Sequence, residues 1–361
     1  VFLYEATSTF NSNLFYFKDA KFQQVPYPSD AEVSGFHKGE FIIALQSDWN
    51  INDKNYTKGS LVSMNLEKSI GKEVTIKTIY VPNDRSSFVS ASTSKDFLVV
   101  NIMENVQNKL IKYSLAGDEW SSKPIKSPEF GSIYLTTSNN QSNDFFFRYS
   151  NFITPTTLFH SNGEGVNSVK KLKDFFDTKD LTVKQYNATS KDGTKIPYFV
   201  VHHKDIQLNG MNPTMIYAYG GFNASSQPNY SATTGICWLE QGGVYVLANI
   251  RGGGEFGPSW HQAAMKDKRQ NAYDDFYAVT EDLITKKISS PEYLGAFGWS
   301  NGGLMAGVVF TQRPDLYNAV VIGAPLLDMK RYSKLLAGAS WTGEFGDPDV
   351  PEEWEYIKKY S

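Results

Sequence analysis

Residues 298–303 read Gly298-Trp299-Ser300-Asn301-Gly302-Gly303, a G-x-S-x-G box whose flanks decide how it is read. Upstream, Tyr293-Leu294-Gly295-Ala296-Phe297 has the make-up of a short buried strand. Downstream, Leu304-Met305-Ala306-Gly307-Val308-Val309-Phe310 has that of an apolar helix start. Strand, sharp glycine turn and helix form the setting in which such a box presents a serine at a nucleophile elbow. The glycines have a physical task, because neighbours without Cβ atoms let strand and helix approach closely around a strained serine. Ser300 is therefore the expected nucleophile of a hydrolase, set against the plainer reading of a glycine-rich structural turn.

Around this box, strands and helices alternate from about residue 173 to Ser361. A hairpin is expected from Val183 to Asn187 and Lys195 to Val201, turning at Lys191-Asp192-Gly193-Thr194. Strands follow at Pro213 to Tyr219, Gly243 to Asn249 and Ala319 to Gly323. Residues Asn271 to Lys286 carry Phe276, Val279 and Leu283 at helical spacing. The alternation predicts a mainly parallel sheet with helices on its faces, an α/β-hydrolase domain over 173–361 that is incomplete. Tyr219-Gly220-Gly221-Phe222 closes one core strand. In a hydrolase of this build such a loop supplies part of the oxyanion hole, paired with the N–H of the residue after the nucleophile, here Asn301. A Tyr219 hydroxyl could replace a backbone donor, or the residue could be a core tyrosine beside a turn. The glycine run in Asn249-Ile250-Arg251-Gly252-Gly253-Gly254-Glu255 lacks the lysine and spacing of a phosphate loop, so Arg251 and Glu255 are read as structural braces.

Residues 1–172 have a different texture. Glu40 to Leu45, Asp96 to Asn101 and Asp144 to Tyr149 resemble one another, and each is followed by a second strand beginning at 60, 109 and 156. Steps of 49 and 47 residues, with several strands per unit, are the signature of propeller blades. Three or four units fit, so this half is expected to be the C-terminal part of a β-propeller, with an antiparallel sandwich as the alternative. Asp48 to Asp53 echoes a calcium loop without its glycine and its twelfth acidic ligand, and it is read as structural. The sequons at Asn55 and Asn187 are read as a by-product of an Asn- and Ser-rich composition.

Composition narrows the classes further. A net charge of −3 and a pI near 6.0, without a Lys/Arg cluster, argue against nucleic acid as a partner. No apolar run is long enough to cross a bilayer, so no membrane partner is expected. No metal and no cofactor are expected. The single cysteine, Cys237, excludes an internal disulfide. The N-terminal Val1-Phe2-Leu3-Tyr4 reads as an interior start, leaving a cytoplasmic location as the expectation and a periplasmic or secreted one as the alternative.

One shortage stands out. A serine nucleophile in this fold is followed in the chain by its acid and then its histidine, but all five histidines precede Ser300. Asp328 is a possible acid, while His202, His203 and His261 are poorly placed as bases. The chain is therefore expected to be an interior fragment whose remaining polypeptide supplies the triad Asp and His beyond Ser361.

Tyr219 to Asn223, Ala248 to Gly257, Ser300 to Gly303, Gln312 to Leu316 and Trp341 to Gly346 together resemble, in order and spacing, the prolyl oligopeptidase family of serine peptidases. The resemblance is specific over 180–361 and rests on the repeat alone in the first half. It implies a seven-bladed propeller capping an α/β-hydrolase domain, with short peptides cleaved on the carboxyl side of proline. It implies Ser300 as nucleophile, and Tyr219 with the Asn301 amide as oxyanion donors. It likewise implies Trp341 as the ring that stacks on proline, Phe222 as an aromatic wall, and Leu326 and Phe345 as further pocket positions. A flat indole suits a rigid pyrrolidine ring. Three departures are visible: Trp299 where the family has a small residue, Phe345 without a tyrosine hydroxyl, and no counterpart of the family's Asp and His. The alternatives are an oligopeptidase of basic specificity using Glu344, an acyl-peptide hydrolase or esterase, and a non-catalytic binding propeller. On either peptidase reading the isolated 361 residues are expected to turn over little or no peptide.

Overall fold

The computed structural model describes residues 1–70 and 74–361. Two compact units make up the chain: Val1–Tyr149 with Thr156–Lys171 and Phe256–Ser259, and Ser150–Pro155 with Leu172–Glu255 and Trp260–Ser361. The main division falls between Lys171 and Leu172, with 150–155 in the second unit and 256–259 in the first.

The first unit is a succession of antiparallel sheets. Strands β1 (Phe2–Ala6), β2 (Ser12–Lys18) and β3 (Lys21–Gln24) form a three-stranded sheet. Strands β4 (Glu32–His37) and β5 (Glu40–Ala44) precede a separate hairpin, β6 (Trp49–Ile51) with β7 (Lys54–Tyr56). Then β8 (Leu61–Asn65) and β9 (Ile76–Tyr80) complete a second sheet in the order β4-β5-β8-β9. The third sheet is β10 (Ser86–Thr93), β11 (Leu98–Glu104), β12 (Gln107–Ala116) and β13 (Glu119–Ile125). The fourth is β14 (Ser132–Ser138), β15 (Phe145–Asn151), β16 (Thr154–Ser161) and β17 (Val166–Lys171). These are the blades of a β-propeller region.

Side-chain alternation explains how the blades stack. Phe41 and Ile43 of β5 pack with Leu14 and Val25 from the first sheet. Their neighbours Ile42 and Ala44, on the opposite face, pack with Leu98, Val100 and Ile102 of the third. Phe97 and Val99 in turn meet Phe145 and Phe147 of the fourth. A strand sandwiched between two neighbours buries both faces, so it reads as an unbroken apolar run rather than an alternating one. Asp48 to Asp53 falls in the β6–β7 hairpin, whose two turn residues Asn52 and Asp53 have φ of 51° and 57°. Paired left-handed residues match the twist of a tight hairpin, which accounts for the Asn-Asp pair without a metal.

The second unit holds a six-stranded sheet. Its strands are β18 (Leu181–Thr189), β19 (Lys195–His203), β20 (Thr214–Tyr217), β21 (Val244–Ala248), β22 (Leu294–Trp299) and β23 (Ala319–Gly323), in the order β18-β19-β21-β20-β22-β23. The first three of that order pair antiparallel and the last four parallel, as in a partial α/β-hydrolase domain. Leu294, Ala296 and Gly298 of β22 are buried, while Gly295, Phe297 and Trp299 on the other face are more open. The helix Asn301–Gln312 packs on β22 and β23, and Gln270–Thr285 packs beside it.

Arg251 ties three of these pieces together. Its Nε and Nη2 donate to the two Asp275 oxygens at 2.9 and 2.6 Å, and Nη1 pairs with Asp192 in the β18–β19 turn. Ser190 Oγ also donates to Asp275. The Asp275 side chain is fully buried, so its charge is tolerable only while the guanidinium remains. Replacing Arg251 by Met is expected to cost about 3–5 kcal/mol of stability in urea denaturation. An unchanged midpoint would show that this bridge braces nothing.

Candidate active site

Ser300 stands where β22 ends and the helix Asn301–Gln312 begins. It is exposed, with φ 57° and ψ −118°, a region that residues with a Cβ rarely occupy. Its own N–H donates to Gly323 O at 2.9 Å, and its carbonyl accepts from Leu304 N–H at 3.1 Å. The turn works only because Gly298 lacks a side chain, since a Cβ there would lie 1.8 Å from Gly302 O. Trp299 leaves the turn on the open face of the sheet and lays its ring over Gly323.

The Tyr219–Phe222 loop lies against this turn. Gly221 allows it, as a Cβ on that residue would come within 2.5 Å of the Asn301 side chain. Asn301 Nδ2 donates to the Tyr219 carbonyl at 2.6 Å. The half-buried Tyr219 phenol and the Ser300 hydroxyl are near enough to influence each other. Burial pushes the Tyr219 phenol above its ordinary pKa, partly opposed by Ser300, so it remains a neutral donor near neutral pH. The Asn301 N–H belongs to the first helical turn, where no carbonyl of the same helix can reach it. A phenol and a backbone N–H beside one exposed hydroxyl are suited to a developing oxyanion.

The remaining expected residues fall into two groups. Phe222 is half-buried, with its ring edge-on to Phe345 at 5.6 Å. Phe345 itself is fully buried. It supports Phe222 from behind, because it lies on the inner side of the short helix Thr342–Phe345. Trp341 is half-buried one turn earlier, and among the described residues it forms no ring pair with Phe222. Leu326 is half-buried in the loop after β23. A cavity of about 610 Å³ opens beside Tyr219 and Trp299 and is lined further by Tyr217, Phe297, Ser226 and Gln227. It shares Tyr219 with the serine cluster but none of Phe222, Leu326, Trp341 or Phe345.

The histidines of this unit point elsewhere. His202 Nδ1 donates to the His203 carbonyl and His203 Nε2 to the Leu239 carbonyl. His261 is buried and hydrogen-bonded to Glu344. Asp328 pairs with Arg331, which holds its carboxyl below the usual range. Glu344 is fully buried and forms an ion pair with Arg269, so it presents no carboxylate to a basic substrate. Sequence reasoning missed this internal pairing, because nothing local in Trp341 to Gly346 shows which way the glutamate faces. Among the described residues no group of three or more His, Cys, Asp or Glu could hold a metal ion, and no helix is long and apolar enough to cross a membrane.

The profile of the prolyl oligopeptidase N-terminal β-propeller domain matches residues 2–170, and that of the prolyl oligopeptidase family itself matches 229–361. The chain belongs to the prolyl oligopeptidase family of serine peptidases. Among the members it resembles is an uncharacterized peptidase of Sinorhizobium fredii, 42% identical over 99% of this chain and 51% of that protein. The prolyl endopeptidase of Elizabethkingia meningoseptica is 34% identical over 99% of this chain and 50% of that protein. A solved post-proline cleaving enzyme from Rickettsia typhi superposes with a TM-score of 0.93 at 37% identity, over 99% of this chain and 53% of that one. The chain thus spans about half the length of these prolyl oligopeptidase relatives.

Glu255, in the loop that ends β21, offers a pH-dependent test of this packing. Its carboxyl is buried and accepts from Ser226 N–H at 2.8 Å, and burial raises its pKa from 4.5 to about 7. Between those values the folded chain binds the proton more tightly than the unfolded one, so stability falls as pH rises from 4.5 to 7 and stays reduced above. The difference corresponds to roughly 3 kcal/mol at alkaline pH. Glu255→Gln is expected to raise the melting temperature at pH 8 and to change it little at pH 5. An equal shift at both pH values would contradict the assignment.

Proposed function

We propose that this chain carries the nucleophile, the oxyanion donors and part of the binding slot of a peptidase that cleaves short peptides on the carboxyl side of proline. The observation that carries the reading is an exposed, strained Ser300 at the start of its helix, with the next residue, Asn301, bonded to Tyr219 so that the phenol is held near the serine. The names of the relatives, a prolyl endopeptidase and a post-proline cleaving enzyme, favour proline as the residue selected. Burial of Glu344 against Arg269 removes the one acidic feature that favoured basic substrates.

In this reading Ser300 Oγ attacks the carbonyl carbon of proline itself while a general base takes its proton. The carbonyl oxygen becomes an oxyanion, which receives hydrogen bonds from Tyr219 and from the Asn301 N–H. The C–N bond then breaks, the leaving amine takes up the proton, and an ester on Ser300 remains for water to hydrolyse. Phe222 and Trp341 form the aromatic walls for proline, with Leu326 beside them and Phe345 as support. No histidine among the described residues hydrogen-bonds to Ser300, and this reading assigns the acid and base to the half of the relatives' length that the chain does not span. Natural short peptides are the substrates, and the remainder of the polypeptide is the required partner.

The test compares the 361-residue chain with the longer polypeptide that carries it, using proline- and arginine-linked chromogenic peptides. The longer form is expected to cleave the proline substrate in preference, and Ser300→Ala to abolish cleavage. Without its base the 361-residue chain is expected to be slower by roughly four orders of magnitude or more. Efficient turnover by the chain alone would sink the assignment of the base, and preference for arginine would sink the substrate class.

A further inference from the structure

Behind the exposed serine lies a set of buried charged groups for which the chemistry above has no task. The side chains of Glu344, Arg269 and His261 are 0%, 1% and 7% exposed. Glu344 Oε1 accepts from Arg269 Nη1 at 3.0 Å and from the Phe222 N–H at 3.1 Å, and Oε2 accepts from His261 Nε2 at 2.7 Å. A carboxylate ionised against a guanidinium can only accept, so His261 Nε2 carries its hydrogen. Arg269 reaches on to Asn301 Oδ1, which orients that amide so that its Nδ2 donates to the Tyr219 carbonyl. The guanidinium also lies over the Phe345 ring, 5.2 Å from its centre.

These links share one destination. The Tyr219 carbonyl and the Phe222 N–H are the two ends of a four-residue loop, and both are held by the same cluster. That loop is strained, since Phe222 and Asn223 follow each other at φ 57° and 56° without being glycines. Buried ion pairs are weak contributors to net stability compared with well-packed apolar groups. Their value here is geometric, because a planar fork and a two-oxygen acceptor fix direction as well as distance.

We propose that Glu344 and Arg269 are positioning residues for the oxyanion wall. They lock the Tyr219–Phe222 loop to the Ser300 turn on one side and to the Trp341–Phe345 segment on the other. Aromatic wall and oxyanion donors are thereby set as one unit. Neither residue touches the reacting atoms; both act through Tyr219, Phe222 and Asn301. The proposal rests on the peptidase reading for its catalytic consequence, but its structural half stands without it.

Two measurements test it. In the 361-residue chain, Glu344→Gln and Arg269→Met are expected to speed hydrogen exchange of the amides at 219–223 by roughly tenfold or more, leaving β21 and β22 unchanged. Unchanged exchange in the loop, or a uniform rise across the sheet, overturns the proposal. Should those variants fail to fold, Arg269→Lys carries the test, with a smaller rise confined to the loop expected and none overturning it. In the longer polypeptide, Glu344→Gln is expected to lower kcat roughly 10–100-fold with KM within about threefold, and the loss to shrink below about threefold in a Tyr219→Phe background. Full additivity of the two substitutions marks a merely structural role and overturns the proposal. An inactive unsubstituted polypeptide would instead refute the peptidase reading, and the exchange result would still decide the positioning role.

Discussion

The second unit depends on one backbone reversal. At Ser300 the chain leaves a parallel strand and enters a helix within a single residue, in a conformation that costs about 1–3 kcal/mol. Such strain persists only where the surroundings over-determine it. Here β22 is hydrogen-bonded on both sides by β20 and β23, Gly323 accepts the Ser300 N–H, and nine residues of the following helix are buried. The glycines on either side of the serine let the strand and helix backbones touch. Exposure of the hydroxyl is the product of that geometry, since a relaxed turn would have room to fold the side chain back.

The same logic of backbone contact extends to the Tyr219–Phe222 loop. Gly221 gives the room for the Asn301 side chain, and Asn301 then bonds the loop carbonyl. The nucleophile turn and the oxyanion wall are therefore coupled by direct hydrogen bonds rather than by proximity alone. Arg269 and Glu344 carry that coupling further inward, to the Trp341–Phe345 segment. Charge has been placed in the interior where direction matters, while the apolar packing of Val246, Ile216, Ala296 and Leu304 supplies the burial.

In the first unit the governing constraint is different. Each blade is too thin to bury its own apolar faces, so stacking supplies the core one interface at a time. This is why β5 and β11 are buried on both faces, and why the repeat is visible as a period in the chain. The edges of each blade tolerate polar and charged residues, and the surface ion pairs there, such as Lys109 with Glu104, contribute little.

Local pattern made much of this legible in advance. The blade strands at 40, 96 and 144, the Asp192-Gly193 hairpin, the helix near 271–286 and the strand at 319–323 all follow from residue spacing and turn chemistry, which act over a few neighbours. The elbow at Ser300 was readable for the same reason, because its glycines are adjacent in the chain to the residue they serve. What the sequence left open is every fact that depends on a distant partner. Glu344 looked like a possible specificity carboxylate, and His261 like a polar residue poorly placed to be a base, until folding placed them in contact across 83 residues. That the Phe345 ring lies under Phe222 and the Arg269 guanidinium was likewise not visible in its neighbours along the chain. Pattern along a chain determines which segments are strand, turn or helix, because those depend on nearest neighbours. The facing of a single charged or aromatic side chain is decided only when remote segments close around it, because burial and pairing are properties of the assembled interior.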